Sequence, residues 1–231
     1  MKVLIIGATG MLGYSLFSNL SDNSKLDVYG TVRNLAGKEA FFTNTSDKLF
    51  KGVEVNNIAS VEEVIANVKP NVVINCIGLI KQHGISKQHV DAVSINSLLP
   101  HQIAEICDRY DAKFIHFSTD CVFSGKKGAY EETDLKDADD IYGRAKGLGE
   151  VTAEPHLTLR TSVIGPELKE GEELFHWFMR QHGSIKGFTK AIWSGVTTLE
   201  LAKAVEWAID DDIQVLYQVT NGIPINKYEL L

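Results

Sequence analysis

Three cysteines in 231 residues, odd in number and widely spaced in apolar surroundings, exclude a disulfide framework and leave too few thiols for a zinc frame. Cys76, Cys107 and Cys121 therefore read as buried free thiols. The seven histidines form no ligand-like cluster, so no metal is expected. No run of eighteen apolar residues occurs, and no cationic leader precedes an apolar segment; Met1 leads almost directly into a strand. A soluble cytoplasmic protein without a membrane partner is the expectation. A dense block of lysine and arginine is missing too. With a net charge of -7 and a pI near 5.5, the chain has no electrostatic footprint for nucleic acid. Internal repeats and low-complexity tracts are absent.

What is there suits one α/β domain, whose 44% hydrophobic content can fill one sizeable core. Apolar, strand-like runs recur at Val3–Ile6, Leu26–Val32, Gly52–Val55, Val72–Asn75, Phe114–Phe117 and Leu157–Leu159. Helical patterns separate most of them, as at Val61–Val68 and Val90–Tyr110, with Pro100 expected to kink the long one. The interval Gly37–Phe50 is polar and poorly periodic, a short helix or loop. Strand alternating with helix means a parallel sheet with helices on both faces.

Past Pro166 the character changes. Glu167–Glu173 is polar and acidic, Leu174–Gln181 is helical, and Ile185–Phe188 reads as extended. Thr198–Ile209 is an amphipathic helix with Leu199 or Leu201, Ala202, Val205 and Ile209 inward. The expected division is a nucleotide-binding domain over 1–165 and a substrate lobe over 166–231, with the cleft between them. Asn226 can cap a helix from Lys227 that reaches only Leu231. That is shorter than most stable helices, which leaves open whether the native chain runs on.

Val3–Ile6 has no polar face, as a central parallel strand requires, and Gly7-Ala-Thr-Gly10-Met-Leu-Gly13 follows at once. Gly7 permits a tight exit from the strand, Gly10 lets backbone approach a pyrophosphate, and Gly13 lets the next helix pack closely on the sheet. The phosphates would meet that helix's N-terminus. Strand, turn and helix in this order point to a dinucleotide site in a doubly wound sheet of the Rossmann type, although the glycine spacing is three and three rather than two and three. About twenty residues past the glycines, where a ribose-binding acid normally stands, the chain has Gly30-Thr-Val-Arg33. A guanidinium suits a 2′-phosphate that a carboxylate would repel, so NADP(H) is favoured over NAD(H).

Tyr142 and Lys146 stand four residues apart, on one face of a helix, where an ammonium can stabilise a phenolate and bring the hydroxyl toward working range. Ser118-Thr-Asp120 follows the run Phe114–Phe117 and so lies at the C-terminal edge of a central strand, where ligands of open α/β sheets bind. Lys186, Lys190, Phe188 and Trp193 cluster so as to offer cations for a diphosphate and a slot for a base; the segment Leu79–Gly84 is the other candidate for lining the cleft.

Taken together, Gly7–Gly13, Asn75-Cys-Ile-Gly78, Ile95-Asn96, Ser118-Thr-Asp-Cys-Val-Phe123, Tyr142-Gly-Arg-Ala-Lys146, Gly149-Glu150 and Leu159-Arg-Thr161 cover about residues 1–165 in order. This set resembles the extended short-chain dehydrogenase/reductase superfamily, most closely its dTDP-4-dehydrorhamnose reductase branch. The resemblance implies an NADPH-dependent reductase of a keto-deoxysugar nucleotide serving cell-surface polysaccharide synthesis. It implies Thr119 as donor to the substrate carbonyl, Tyr142 as proton donor, Lys146 on the nicotinamide ribose, Ser118 beside them, and Asn96 supporting a relay water. Cofactor contacts are expected from Gly7, Thr9, Gly10, Met11, Leu12, Gly13 and Arg33, from Asn57 and Ile58, and from Cys76, Ile77, Gly78, Tyr142 and Lys146. Substrate contacts are expected from Cys121, Phe123, Phe188, Lys190 and Trp193, with a nucleotide sugar as partner and a homodimer allowed. Cys121 stands where the branch usually has tyrosine, and the C-terminal part matches poorly. A dehydratase is disfavoured, because Cys121 follows Asp120 where those enzymes carry a second acid. The alternatives are an epimerase of the same superfamily with tightly retained NAD, or a non-catalytic NADP-binding regulatory protein.

Overall fold

The computed structural model describes residues 1–80, 89–168 and 173–231. The first half alternates as expected through β1 (Lys2–Ile6), α1 (Met11–Ser21), β2 (Asp27–Val32), β3 (Leu49–Lys51), α2 (Ile58–Val68) and β4 (Val72–Asn75). After α3 (His89–Val93) a π-helical turn, Ser94–Leu98, leads into α4 (Leu99–Arg109) and β5 (Lys113–Ser118). Next come α5 (Ile141–Leu148), β6 (Leu157–Arg160), β7 (Val163–Ile164), α6 (Leu174–Met179), β8 (Ile192–Trp193), β9 (Val196–Thr197), α7 (Thr198–Asp210), β10 (Val215–Gln218), β11 (Ile225–Asn226) and α8 (Lys227–Leu230).

Seven of the strands form one sheet in the order β10-β6-β5-β4-β1-β2-β3, every neighbouring pair parallel. Period-two alternation explains why β1 is apolar throughout. Val3 and Ile5 join the core under α1 and α7, while Leu4 and Ile6 join the core under α2 and α4, so neither face meets water. Because all seven strands run the same way, their C-terminal ends lie along one edge. The register sets Ile6 level with Asn75, Asn75 with His116, and Ser118 with Arg160.

Several expectations shift. The third strand lies at Leu49–Lys51 rather than Gly52–Val55, because Gly52 at φ +76° turns the chain out of the ladder, although Val53 still reaches the core. The long helix departs from regularity at the π-turn Ser94–Leu98, which runs directly into α4 with Pro100 at its second position; proline has no N–H to return to the preceding turn. Leu201 faces inward on α7 and Leu199 is exposed. Ile185–Phe188 joins no strand. Cys76 is half-buried and Cys121 exposed, so only Cys107 is the buried thiol expected of all three.

The largest departure concerns the division at residue 165. Helix α7 packs on α1 and contributes Leu201, Ala202, Val205, Ala208 and Ile209 to the first core, and β10 extends the sheet beside β6. Both lie beyond the boundary, so the sheet draws on both sides of it. The alternating exposure of β10, an edge strand, gave no continuous apolar run to find. Expected features at 81–84 and 169–172 fall outside the described residues. Among the described residues no helix is long and apolar enough to cross a membrane.

The first βα turn is set by contact distance. A Cβ built on Gly13 would lie 2.1 Å from the Gly7 carbonyl oxygen, and neither backbone can move without parting α1 from β1. Gly13→Ala is therefore expected to destabilise the protein by roughly 1–3 kcal/mol, the usual cost of overpacking. Urea unfolding at neutral pH measures it; a midpoint equal to the parent's would contradict the close approach.

Candidate active site

Four strand ends converge on one stretch of the sheet edge. At the end of β1, Gly7 (φ +89°) turns the chain, with its amide donating to Thr31 Oγ1 at 3.1 Å. A Cβ on Gly10 would meet only the Gly7 carbonyl, at 3.6 Å, so the face of the turn is open. Gly10 brings no side-chain cap to α1 and the first turn holds no acid. The leading N–H groups of the helix, on Met11, Leu12 and Gly13, thus keep donors and positive potential for an anion. This cradle fits a dinucleotide's phosphates. Arg33 follows β2 and is exposed. Sequence reasoning missed Lys38, whose Nζ lies 3.4 Å from the Thr9 carbonyl oxygen and so brings a second cation to the turn. Asn57 is exposed ahead of α2, while Ile58 packs into the second core.

At the end of β4, Cys76 and Ile77 continue the chain toward Gly78, and the segment is clamped from the π-turn. Asn96 accepts from the Leu79 amide at 2.9 Å and donates to its carbonyl at 3.0 Å. Both ends of that side-chain amide hold backbone. The clamp keeps Gly78 beside the site: a Cβ there would stand 3.9 Å from Lys146 Nζ.

Helix α5 starts at Asp140, whose carboxylate caps Gly143 N at 2.9 Å. It lies tight on the turn after β5, since a Cβ on Gly143 would come 2.1 Å from the Cys121 carbonyl. That approach brings Tyr142 within hydrogen-bonding reach of the Thr119 side chain. Thr119 itself donates to Asp120 and accepts from Cys121 N, both at 3.1 Å. Burial pushes the Tyr142 phenol well up, reinforced by Cys121, Asp120 and Glu173. The one opposing influence is the hydrogen bond with Thr119 rather than the expected depression by Lys146, and the hydroxyl keeps its proton. Lys146 is buried, and burial brings its ammonium down to about 8. Its Nζ donates to the Phe117 carbonyl and stands 3.4 Å from His116 Nε2.

Ser118 departs from its expected place. Its hydroxyl donates to Glu150 Oε1 at 2.7 Å, turned inward from the edge. Glu150 also receives Arg160 through two nitrogens at 2.7 and 2.9 Å and Lys136 at 3.0 Å. Burial alone would raise the Glu150 pKa; Arg160, Ser118 and Lys136 together outweigh it and hold the carboxylate below its ordinary range. The Arg160 guanidinium lies over Phe123, 5.1 Å from the ring centroid, and Phe123 stacks on Tyr130 at 4.2 Å. Phe123 is accordingly buried scaffold rather than cleft lining.

Trp193 is mostly buried, its indole donating to Ser162 Oγ at 2.8 Å, and it lines a pocket with Val196, Trp207 and Val219. Phe188 and Lys190 are exposed on a loop held from behind by Tyr228 N to the Phe188 carbonyl and Lys227 N to the Ala191 carbonyl. Glu173, close enough to raise the Tyr142 pKa, joins the site unforeseen from a polar stretch. Among the described residues no group of three His, Cys, Asp or Glu is placed to hold a metal.

Removing Glu150 would strand the buried Arg160, so Glu150→Ala is expected to lose roughly 3–5 kcal/mol at pH 7. With its folded pKa depressed, Glu150 contributes stability that is complete above its unfolded value, about 4.3, and fades as pH falls through the folded value. Glu150→Gln should thus flatten the acid limb of a stability–pH curve measured by urea unfolding. An unchanged limb would show that the carboxylate is not held low.

Known proteins match the chain over most of its length. The family described as the RmlD substrate binding domain matches residues 1–192. A dTDP-4-dehydrorhamnose reductase from Aggregatibacter actinomycetemcomitans is 32% identical over 166 residues, covering 70% of this chain and 51% of the relative. Methionine adenosyltransferase 2 subunit beta from Danio rerio is 27% identical over 177 residues, 74% of this chain and 50% of that protein. The chain thus spans about half the length of these curated relatives. A crystal structure of dTDP-4-dehydrorhamnose reductase from Bacillus anthracis in complex with NADP has the same fold, with a TM-score of 0.83 at 24% identity over 99% of this chain and 78% of that one. With its glycine turn, its Thr119–Tyr142–Lys146 edge and five-sixths of its length inside the match, the chain belongs to the RmlD substrate-binding-domain family.

Proposed function

We propose that the chain reduces a keto-deoxysugar nucleotide with NADPH, as a dTDP-4-dehydrorhamnose reductase-like enzyme supplying precursors of cell-surface polysaccharide. The observation that carries this reading is Tyr142 within hydrogen-bonding reach of Thr119, one helical turn from Lys146 on α5, at the same sheet edge as the open glycine turn after β1. Met11, Leu12 and Gly13 amides would hold the cofactor's phosphates, Arg33 and Lys38 its 2′-phosphate, and Lys146 its ribose. When bound, NADPH supplies the hydride.

This chain's residues supply the rest. Thr119 can exchange its bond to Asp120 for one to the substrate carbonyl oxygen, polarising the carbon. As negative charge develops on that oxygen, Tyr142 transfers its phenolic proton there and is left as phenolate, which the nearby Lys146 ammonium stabilises. Burial favours the neutral phenol beforehand, so the proton is in place when the substrate arrives. The second reading is a non-catalytic NADP-binding regulatory protein, and the match to methionine adenosyltransferase 2 subunit beta shows that the family's relatives are not all named as reductases; the joint presence of Thr119, Tyr142 and Lys146 favours catalysis.

Tyr142→Phe deletes one hydroxyl and keeps the ring, so folding and NADPH binding should survive while turnover falls roughly 10²–10⁴-fold. Single-turnover assays with nucleotide-sugar ketones measure it, and near-parental rates would require another acid. Cofactor preference should follow the cations: NADPH is expected to bind tighter than NADH, and Arg33→Ala to remove roughly 1–3 kcal/mol of the difference. Equal affinities for the two cofactors in the parent, by calorimetry, would refute the assignment and favour the epimerase.

A further inference from the structure

Lys146 has an inner neighbour that the proposed reaction leaves unused. His116, in the middle of β5, is buried, with Nδ1 3.3 Å from Asn75 Nδ2 and Nε2 3.4 Å from Lys146 Nζ. The proton positions on this chain of nitrogens can be worked out from its one fixed end. The Ile77 amide, a donor only, stands 3.0 Å from Asn75 Oδ1, which fixes that oxygen as the acceptor and turns the Asn75 NH₂ toward the ring. Nδ1 must then accept.

A neutral imidazole carries one N–H, so the proton sits on Nε2 and points at Lys146. An ammonium has three donors and no lone pair to receive it. The amine does have one, and can still donate to the Phe117 carbonyl. Doubly protonating the ring offers no escape, since burial, with Lys146 and His101 adding to it, holds His116 well below its ordinary value. The other ionisable groups bearing on Lys146 are Tyr142, one turn earlier on α5, and Glu150, just past the end of that helix, whose carboxylate is engaged by Arg160, Ser118 and Lys136.

We infer that His116, locked by Asn75 as the Nε2–H tautomer, is a positioning residue that stabilises the amine form of Lys146. In turnover a Lys146 ammonium beside that ring is a stronger acid than a solvated one: as it releases a proton toward the Tyr142 phenolate, N–H breaks as O–H forms, and the lysine remains as an amine that the ring supports. That consequence for turnover rests on the reductase reading; the assignment of the protons does not.

Two measurements on the full chain test it without any turnover. In long-range ¹H–¹⁵N spectra of histidine-labelled protein between pH 6 and 8, the His116 signals, identified by their loss in His116→Phe, should show the Nε2–H tautomer. A Nδ1–H pattern overturns the assignment. The second is the titration of Lys146, followed by NMR of its side chain and identified through Lys146→Arg. In His116→Phe its midpoint should rise by about one pH unit, because the group favouring the amine is gone. A fall would mean that an ammonium donates to the ring, and no change that the ring is packing alone; either result overturns the proposal. Should His116→Phe not fold, the parent's histidine spectrum decides, with Lys146→Arg assigning the neighbouring ring by its shift. A protein that proved inactive on every sugar nucleotide would leave both readouts untouched.

Discussion

The buried pair of Glu150 and Arg160 is the contact on which the site's geometry depends. Glu150 follows α5 directly after its capping Gly149, Arg160 closes β6, and Ser118 at the end of β5 donates into the same carboxylate. Arg160 reaches onward to the Glu132 carbonyl, and the Glu132 side chain accepts from Gln218 on β10. One anion thereby fixes the helix carrying Tyr142 and Lys146 against three neighbouring strands. Desolvating two ions is costly, and such pairs are weak evidence for net stability. Their effect here is positional. The paired bonds between guanidinium and carboxylate allow little rotation, and α5 is held in register with the strand edge that presents Thr119.

Tyr142 and Lys146 show the same physics with opposite results. Burial disfavours whichever form is charged, so the phenol is driven up and the ammonium down. The developing negative charge on a bound carbonyl is thus met by a phenol that holds its proton and by a lysine whose ammonium is more acidic than a solvated one. Spacing along a helix shows that two side chains share a face; it does not show how deeply that face is buried, and depth decides the sign of the shift.

Much of the fold could be read from the sequence because both faces of the sheet are covered, which leaves runs such as Val3–Ile6 apolar at every position. The glycines were legible for a related reason: at Gly7 and Gly13 only the smallest residue fits, so the constraint is written in the residue type. The edge strand β10 carried no such mark, being half solvated. Ser118, Asn96 and Phe123 were identified as site residues by type and neighbourhood, but their side chains turn to partners far along the chain, Glu150, Leu79 and Arg160. His116 had a signal that was passed over. A lone polar residue inside the run Phe114–Phe117 is costly to bury without a partner, and its partners are Asn75 and Lys146.

The position of β10 at the sheet's edge has a consequence for how the protein comes into being. Its strand is the last of the seven to be synthesised, yet its neighbour β6 lies more than fifty residues earlier. On the ribosome the exposed rim of β6 must wait, with its backbone hydrogen bonds unmade, until Val215–Gln218 emerges. Through that interval the nascent chain presents an open strand edge of the kind that pairs with other chains. Glu132, whose carboxylate later receives the Gln218 amide, places a charge beside that rim before the closing strand arrives.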